Sequence, residues 1–236
     1  MPTVSAQAPR GFGNVETWVF DLDNTLYPHH LNLWQQVDER IRAYVSDFLK
    51  VSKDEAFRLQ KNYYKRYGTT MRGMMTEHGM SPDAYLDFVH RIDHSPLEPN
   101  PALGAALEKL PGRKLILTNG TRKHANAVMR SSRSTITLKT CSTSQRQTST
   151  PNRYRRSTSA SSRAMASILQ RPQCSRIWRA TSETPHALRM TTVLVVPEGQ
   201  REVFREDWEL EGRDAPYVDH LTDDLNRFLE EIMRRR

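Results

Sequence analysis

The sequence predicts an α/β fold in which a helical segment interrupts the core after its first strand. Three observations carry that reading. Trp18-Val19-Phe20 is a short apolar run with the character of a buried strand, and it ends in Asp21-Leu22-Asp23. A second run, Lys114-Leu115-Ile116-Leu117, ends in the polar turn Thr118-Asn119-Gly120. Between the two, residues 30–92 follow helical rather than strand spacing.

The elements follow in order. Residues 1–14 are expected to be a flexible N-terminus, residues 15–28 and 101–236 the core, and residues 29–100 a helical insertion. Inside the insertion, Trp34, Val37, Ile41, Tyr44, Val45 and Phe48 mark the apolar face of a first helix. Ser52-Lys53-Asp54-Glu55 is a capping-box start for a second, carrying Phe57, Leu59, Tyr63 and Tyr64. Ser81-Pro82 places an N-cap and a first-turn proline ahead of a third, with Tyr85, Phe88, Val89 and Ile92. A proline-punctuated linker, 94–101, returns the chain to a helix over 102–110 and then to the second strand. Later, Thr191–Val196 reads as a buried strand, and Leu221–Arg236 as an amphipathic closing helix with Leu225, Phe228, Leu229 and Ile232.

The chemistry sits at the strand ends. Asp21 and Asp23 are two residues apart where an open α/β sheet binds its ligands. One carboxylate there can attack phosphorus to form an aspartyl-phosphate. The other can protonate the leaving oxygen and then activate water. The pair attracts a hard divalent cation, most naturally Mg2+. D-x-D also occurs in plain loops and in calcium sites, but a calcium loop needs further oxygen ligands and a distal Glu, and Leu26-Tyr27-Pro28 supplies none. At the second strand end, the Thr118 hydroxyl and the backbone N–H groups of Asn119 and Gly120 suit phosphate oxygens. Lys123 and His124, just beyond, read as a solvated first turn. The adjacent His29 and His30 read as a hinge of the insertion, because neighbouring histidines rarely ligate one ion.

Asp21-Leu22-Asp23-Asn24-Thr25 resembles motif I of the haloacid dehalogenase-like (HAD) superfamily, D-x-D-x-[TV], and Thr118-Asn119 resembles its motif II. The resemblance covers residues 15–130 and 184–236, with Tyr217–His220 similar to the family's last short strand. It implies a Rossmann-like core with a parallel sheet, and a C1-type cap at 29–100. It also implies Asp21 as nucleophile and metal ligand, Asp23 as acid/base and metal ligand, and Thr25, Thr118, Asn119 and Gly120 around the phosphate. The second aspartate favours phosphoryl chemistry, since a halide leaving group needs no acid whereas an alkoxide does. Asp-Leu-Asp-Asn-Thr-Leu-Tyr-Pro, Tyr67-Gly68-Thr69-Thr70-Met71-Arg72-Gly73 and Pro185-His186-Ala187-Leu188 look like the pyrimidine 5′-nucleotidase branch. That implies Mg2+-dependent dephosphorylation of small phosphorylated substrates such as UMP or CMP. Tyr67, Thr69, Thr70 and Arg72 are then candidate substrate contacts, with a structured turn and a solvated arginine as the alternative. A sugar phosphate is the other substrate class within the family.

Charge adds a complication. The chain carries a net +8, which raises nucleic-acid binding as a function class. The excess is confined to residues 131–183, which hold ten Lys/Arg against one acid, Glu183; the remainder has 25 basic and 26 acidic residues. The tract is dominated by Ser, Thr and Arg, is expected to be irregular, and lacks the lysine and the acidic pair that the resemblance requires. It contains both cysteines, Cys141 and Cys174, which fit neither a disulfide framework nor a zinc spacing.

Read one nucleotide out of frame, Ile136–Thr143 permits H-H-F-E-D-V-F-D, and Thr148–Arg153 permits D-x-x-P-K-P with the lysine at Asn152. Met165–Leu169 permits H-G-V-D-P. Cys174–Ser182 permits M-F-E-D-L-A-R-N-L, with the acidic pair at Arg176 and Ile177. These HAD-like fragments fall in family order, so the tract reads as a compensated frameshift and the chain as impaired. The competing reading is a non-catalytic or nucleic-acid-binding protein using the basic tract, which its position inside the expected core disfavours. No segment has the apolar length of a membrane span, and the first residues lack signal-peptide character, so cytoplasmic residence is expected.

Overall fold

A computed structural model describes residues 10–131, 139–142, 165–170, 184–196 and 216–235. The chain runs β1 (Thr17–Phe20), a 3-10 turn (His29–Leu31), α1 (Leu33–Leu49), α2 (Lys53–Tyr67), α3 (Thr70–His78), α4 (Pro82–Val89), α5 (Pro101–Lys109), β2 (Arg113–Thr118) and α6 (Arg122–Ser131). It continues through β3 (Lys139–Ser142), β4 (Met165–Gln170), α7 (Thr184–Ala187), β5 (Thr191–Val195), β6 (His220–Thr222) and α8 (Leu225–Arg235).

The six strands form one sheet of order β3-β2-β1-β4-β5-β6, and every pairing is parallel. From β1 the chain builds outward through β2 to β3, then crosses back and builds the other side from β4 to β6. The strand order therefore reverses at β1. Trp18, Phe20 and Leu22 are fully buried there, and they share one core with Ile116, Val193, Val195, Leu225 and Leu229. Burying each such side chain is worth roughly 1.5–3 kcal/mol. The Trp18 indole remains satisfied inside this core because its Nε1–H donates to the Pro111 carbonyl at 2.8 Å.

Two expectations are corrected in the sheet. Residues 131–183 were expected to be irregular, yet β3 and β4 lie within them, and β4 pairs with β1. Parallel pairing is made by backbone groups, so the polar Lys-Thr-Cys-Ser segment extends an existing edge. Met165–Gln170 holds Met, Ala, Ile and Leu in six residues, an apolar run hidden by the tract's average polarity. The positions proposed for the out-of-frame lysine and acids, Asn152, Arg176 and Ile177, lie outside the described residues. Residues 10–14 were grouped with a flexible N-terminus, but Arg10 donates from Nη1 to the carbonyls of His186 and Met190 at 3.0 and 2.9 Å. Its backbone N–H reaches Asp219 Oδ1 at 3.3 Å, while Phe12 packs on Trp18, His220 and Phe228.

The helical insertion has a core of its own, made of Val45, Ala56, Tyr63, Met71, Met74, Met80, Tyr85, Leu86 and Val89. Ser52 caps α2, its Oγ accepting from the Glu55 N–H at 3.2 Å. Two of the aromatic residues assigned to apolar faces, Phe48 and Phe57, are exposed instead. Phe48 stacks on Tyr44, and Phe57 lies beneath the Arg42 and Lys61 cations. The insertion also holds a helix that the sequence spacing left as a turn, α3. It packs against α2 so closely that a Cβ on Gly73 would stand 2.5 Å from Tyr63 Cβ. On the core side, Gly112 holds φ +86° in the turn before β2, with the Glu16 carbonyl oxygen 2.3 Å from where its Cβ would be.

Candidate active site

Asp21 follows directly on β1, at the carboxyl end of the strand where the sheet order reverses, which is the crevice that open α/β sheets use for ligands. The chain then turns sharply. The N–H groups of Thr25 and Leu26 both return to the Leu22 carbonyl, at 3.2 and 3.0 Å, and Asn24 adopts the left-handed conformation at φ 54°. The turn holds both carboxyl groups at the strand end.

Their environments differ. Burial pushes the Asp21 carboxyl up to about 8, helped by the neighbouring charge of Asp23 and opposed by a backbone hydrogen bond at Leu22. Burial also raises Asp23, but the His124 charge and hydrogen bond, with that of Tyr27, outweigh it and hold Asp23 below the usual carboxylate range. Both donors meet the same oxygen. Tyr27 Oη–H and His124 Nε2 each lie 2.8 Å from Asp23 Oδ1. One carboxyl is thus pressed towards neutrality and the other held as an ion.

His124 was read as part of a solvated first turn, and the structure corrects that reading. It is 2 % exposed, on the face of α6 that also buries Ala125 and Val128. The signal was present in the sequence: Val128 lies four residues on, the spacing of one helix face. Two further histidines join it. His94 Nε2 is 3.2 Å from His124 Nδ1, and the His90 ring lies 4.9 Å from that of His124. Gly120 permits the crowding, since a Cβ there would meet His124 Cδ2 at 3.0 Å and both His90 Nε2 and Thr118 Oγ1 at 3.3 Å.

The remaining expected residues divide. Thr118 ends β2 and is buried, with its Oγ1 accepting from the Gly120 N–H at 2.9 Å; Asn119 completes that turn. Thr25 is buried, and its Oγ1 has no hydrogen-bond partner among the described residues, as is true of Asn24 Oδ1. A cavity of about 190 Å³ adjoins the motif, lined by Asn24, His29, Asn32, Trp34, Gln35 and Asp38. The cap candidates have structural tasks. Thr69 Oγ1 caps α3 by accepting from the Arg72 N–H, Thr70 donates from a buried position to the Gln60 carbonyl, and Tyr67 Oη–H donates to Glu77 at 2.6 Å. Arg72 is exposed on α3. His29 and His30 are exposed in the 3-10 turn that leads into α1.

The donors available to a cation are carboxylate oxygens, the type a hard ion such as Mg2+ takes. The charge of Asp23 opposes ionisation of the half-buried Asp21, an opposition that a cation's charge relieves, so the chemistry of Asp21 and Asp23 fits Mg2+. Among the described residues no group of three His, Cys, Asp or Glu stands together as a fuller metal site, and Mg2+ commonly keeps several waters beside one or two carboxylates.

No protein-family model matches the chain. Among solved structures it is similar to a protein described as a haloacid dehalogenase-like hydrolase from Burkholderia xenovorans LB400. The two share 14% identity over 92% of this chain and 98% of that one, with a TM-score of 0.53. It is also similar to the HAD-hydrolase YfnB from Bacillus subtilis, bound to magnesium (10% identity, 93% and 99% covered, TM-score 0.49). A defluorinating L-2-haloacid dehalogenase matches at 13% identity over 97% and 100%, with a TM-score of 0.49. The first likeness, with the all-parallel sheet, shows that the chain has the haloacid dehalogenase-like α/β fold. Among the described residues no helix is long and apolar enough to cross a membrane.

Proposed function

We propose that the protein is a Mg2+-dependent phosphohydrolase of the haloacid dehalogenase-like superfamily. Its proposed substrates are pyrimidine nucleoside monophosphates such as UMP and CMP, or similar small phosphate esters. The observation that carries the reading is positional: Asp21 and Asp23 stand at the carboxyl end of β1, where the strand order reverses, beside Thr118 at the end of the neighbouring strand β2.

In this reading Asp21 attacks phosphorus in line and carries the phosphoryl group as an acyl phosphate. Asp23 gives a proton to the departing alkoxide and later takes one from the water that hydrolyses the intermediate. The ground-state charges run opposite to those roles, which substrate arrival corrects in part: a phosphate dianion beside Asp23 raises that carboxyl and favours its acid form. Mg2+, held by Asp21 and Asp23, would supply the positive charge that favours ionised Asp21 and offsets the phosphate. The Thr118 hydroxyl and the Asn119 backbone would face the phosphate oxygens, the Gly120 N–H, which donates to Thr118 Oγ1, would hold that turn, and Thr25 would support the turn after β1. The pyrimidine preference rests on the sequence variants around Asp21, Tyr67 and Pro185.

The frameshift reading of 131–183 belongs to the same proposal: the charge-offsetting lysine and the further acids are written in another frame, so turnover in this chain is low. The experiment is release of inorganic phosphate from UMP and CMP, with Mg2+ or with a chelator, by this chain and by a frame-restored one. Mg2+-dependent release that disappears in Asp21→Asn is expected. A restored chain without such release, or one indifferent to Asp21→Asn, would sink the reading.

A further inference from the structure

We propose that the cavity between the turn after β1 and the start of α1 seats the pyrimidine nucleoside of the substrate, with Trp34 and Asp38 as its specificity-determining residues. The cavity holds about 190 Å³ and borders Asn24, the residue that follows Asp23. Trp34, Asp38 and the amides of Asn32 and Gln35 complete its wall.

Asp38 is built into that wall from behind. Its Oδ1 accepts from Gln60 Nε2 at 2.8 Å and from Lys61 Nζ at 3.3 Å, both on α2. Gln60 is 2 % exposed, and the Thr70 hydroxyl donates to its carbonyl at 3.2 Å. Asp38 Oδ2 has no partner among the described residues and is left to accept from an O–H or N–H group that enters. Trp34 supplies a ring face. It is half-buried, and among the described residues its indole N–H has no acceptor and no other ring packs on it. Trp18, in the core, donates to a carbonyl instead. Asn32 occupies the N-cap position of α1, yet its side chain makes no cap hydrogen bond.

These groups fit one class of occupant. Aromatic faces stack on nucleobases, and carboxylates accept from ribose hydroxyls. Pockets for drug-sized molecules hold about 300–1,000 Å³, so this smaller cavity takes one ring rather than a fused pair. The turn at Tyr67–Arg72, the sequence candidate for substrate contact, uses the polar atoms of Tyr67, Thr69 and Thr70 within the cap. Thr70 still acts on the cavity at one remove, through Gln60. That the occupant is a leaving group rests on the proposed phosphohydrolase reading; the affinity of the cavity for a pyrimidine nucleoside does not.

The test titrates the full-length 15N-labelled protein with uridine, which has no phosphate and reads the cavity without turnover. The Trp34 indole signal and the side-chain amides of Asn32 and Gln35 are expected to shift saturably, and the Arg72 signals to stay. No shift in the lining signals at millimolar uridine overturns the proposal. Equal shifts with ribose alone would give the cavity to sugars and overturn the pyrimidine assignment.

Asp38→Asn keeps an oxygen for Gln60 but loses the charge, and is expected to weaken uridine binding about 10-fold. Trp34→Ala is expected to weaken it by about as much, and Trp34→Phe, which keeps a ring face, to restore most of it. In turnover of UMP, Asp38→Asn is expected to act on KM more than on kcat. A raised KM in Arg72→Ala with none in Asp38→Asn overturns the assignment. Uridine seated in the cavity of a protein that releases no phosphate counts against the phosphohydrolase reading and leaves the cavity standing. Phosphate release from UMP without shifts at the cavity does the reverse.

Discussion

His124, fully buried, contacts Asp23 Oδ1 at 2.8 Å across 101 residues of sequence. The contact joins the first turn of α6 to the loop after β1, and so it joins the two strand ends that carry the candidate chemistry. Its consequences can be measured at each partner.

Replacing the acids separates their roles. Asp21→Asn is expected to abolish phosphate release, because an amide is no nucleophile towards phosphorus. Asp23→Asn retains a carbonyl acceptor for Tyr27 but cannot cycle a proton, and is expected to lower turnover by about 10²–10⁴. Phosphate-release assays on UMP check both, and equal residual activity in the two variants would contradict the division.

The charge imbalance also sets a pH dependence of stability in the presence of a chelator. Asp21 is raised from 3.8 to about 8 in the folded protein. Between those values the folded state keeps a proton that the unfolded chain has released, so stability falls as pH rises through that window. Asp21→Asn removes the penalty and is expected to raise the melting temperature at pH 8 while changing it little at pH 4. Asp23, held low, acts in the other sense, and its contribution is lost as pH falls below the ordinary carboxylate range. Thermal unfolding followed by circular dichroism at the two pH values decides; a larger gain at pH 4 would reverse the assignment.

Gly112 gives a prediction independent of the site. A Cβ at φ +86° would press on the Glu16 carbonyl, so Gly112→Ala is expected to cost about 1–3 kcal/mol. Denaturant unfolding measures it, and an unchanged midpoint would show that the turn before β2 relaxes freely.

On the proposed frameshift, writing residues 131–183 in the other frame is expected to raise turnover by about 10²-fold or more, the usual effect of supplying one charge-stabilising donor. Steady-state kinetics of the two chains side by side, with resequencing of the gene across that stretch, test this directly.

What the sequence disclosed follows what controls each feature. β1, β2, β5, α1, α2, α4 and α8 are legible because their apolar residues keep a regular period and their caps are local, as with Ser52 and Pro82. Asp21 and Asp23 are legible because two acids at a strand end form a short, contiguous pattern. His124, His90 and His94 are not, because their contact is made by the return of a long insertion and no local spacing encodes it. α3 escaped because its Met and Gly residues face Tyr63 of α2, a packing partner that only the folded insertion supplies. β4 escaped because the tract around it was judged by its average composition.

Arg10 has one more consequence. It clasps the carbonyls of His186 and Met190 and the side chain of Asp219, while α8 lies against α5. Segments that precede β1 and segments that follow the anomalous tract are therefore fastened to each other without passing through it. A single peptide-bond cut between residues 143 and 164 is expected to leave two pieces that migrate together on a sizing column and separate in denaturant. By that behaviour the chain would be a natural split protein, joined by its own N-terminal clasp.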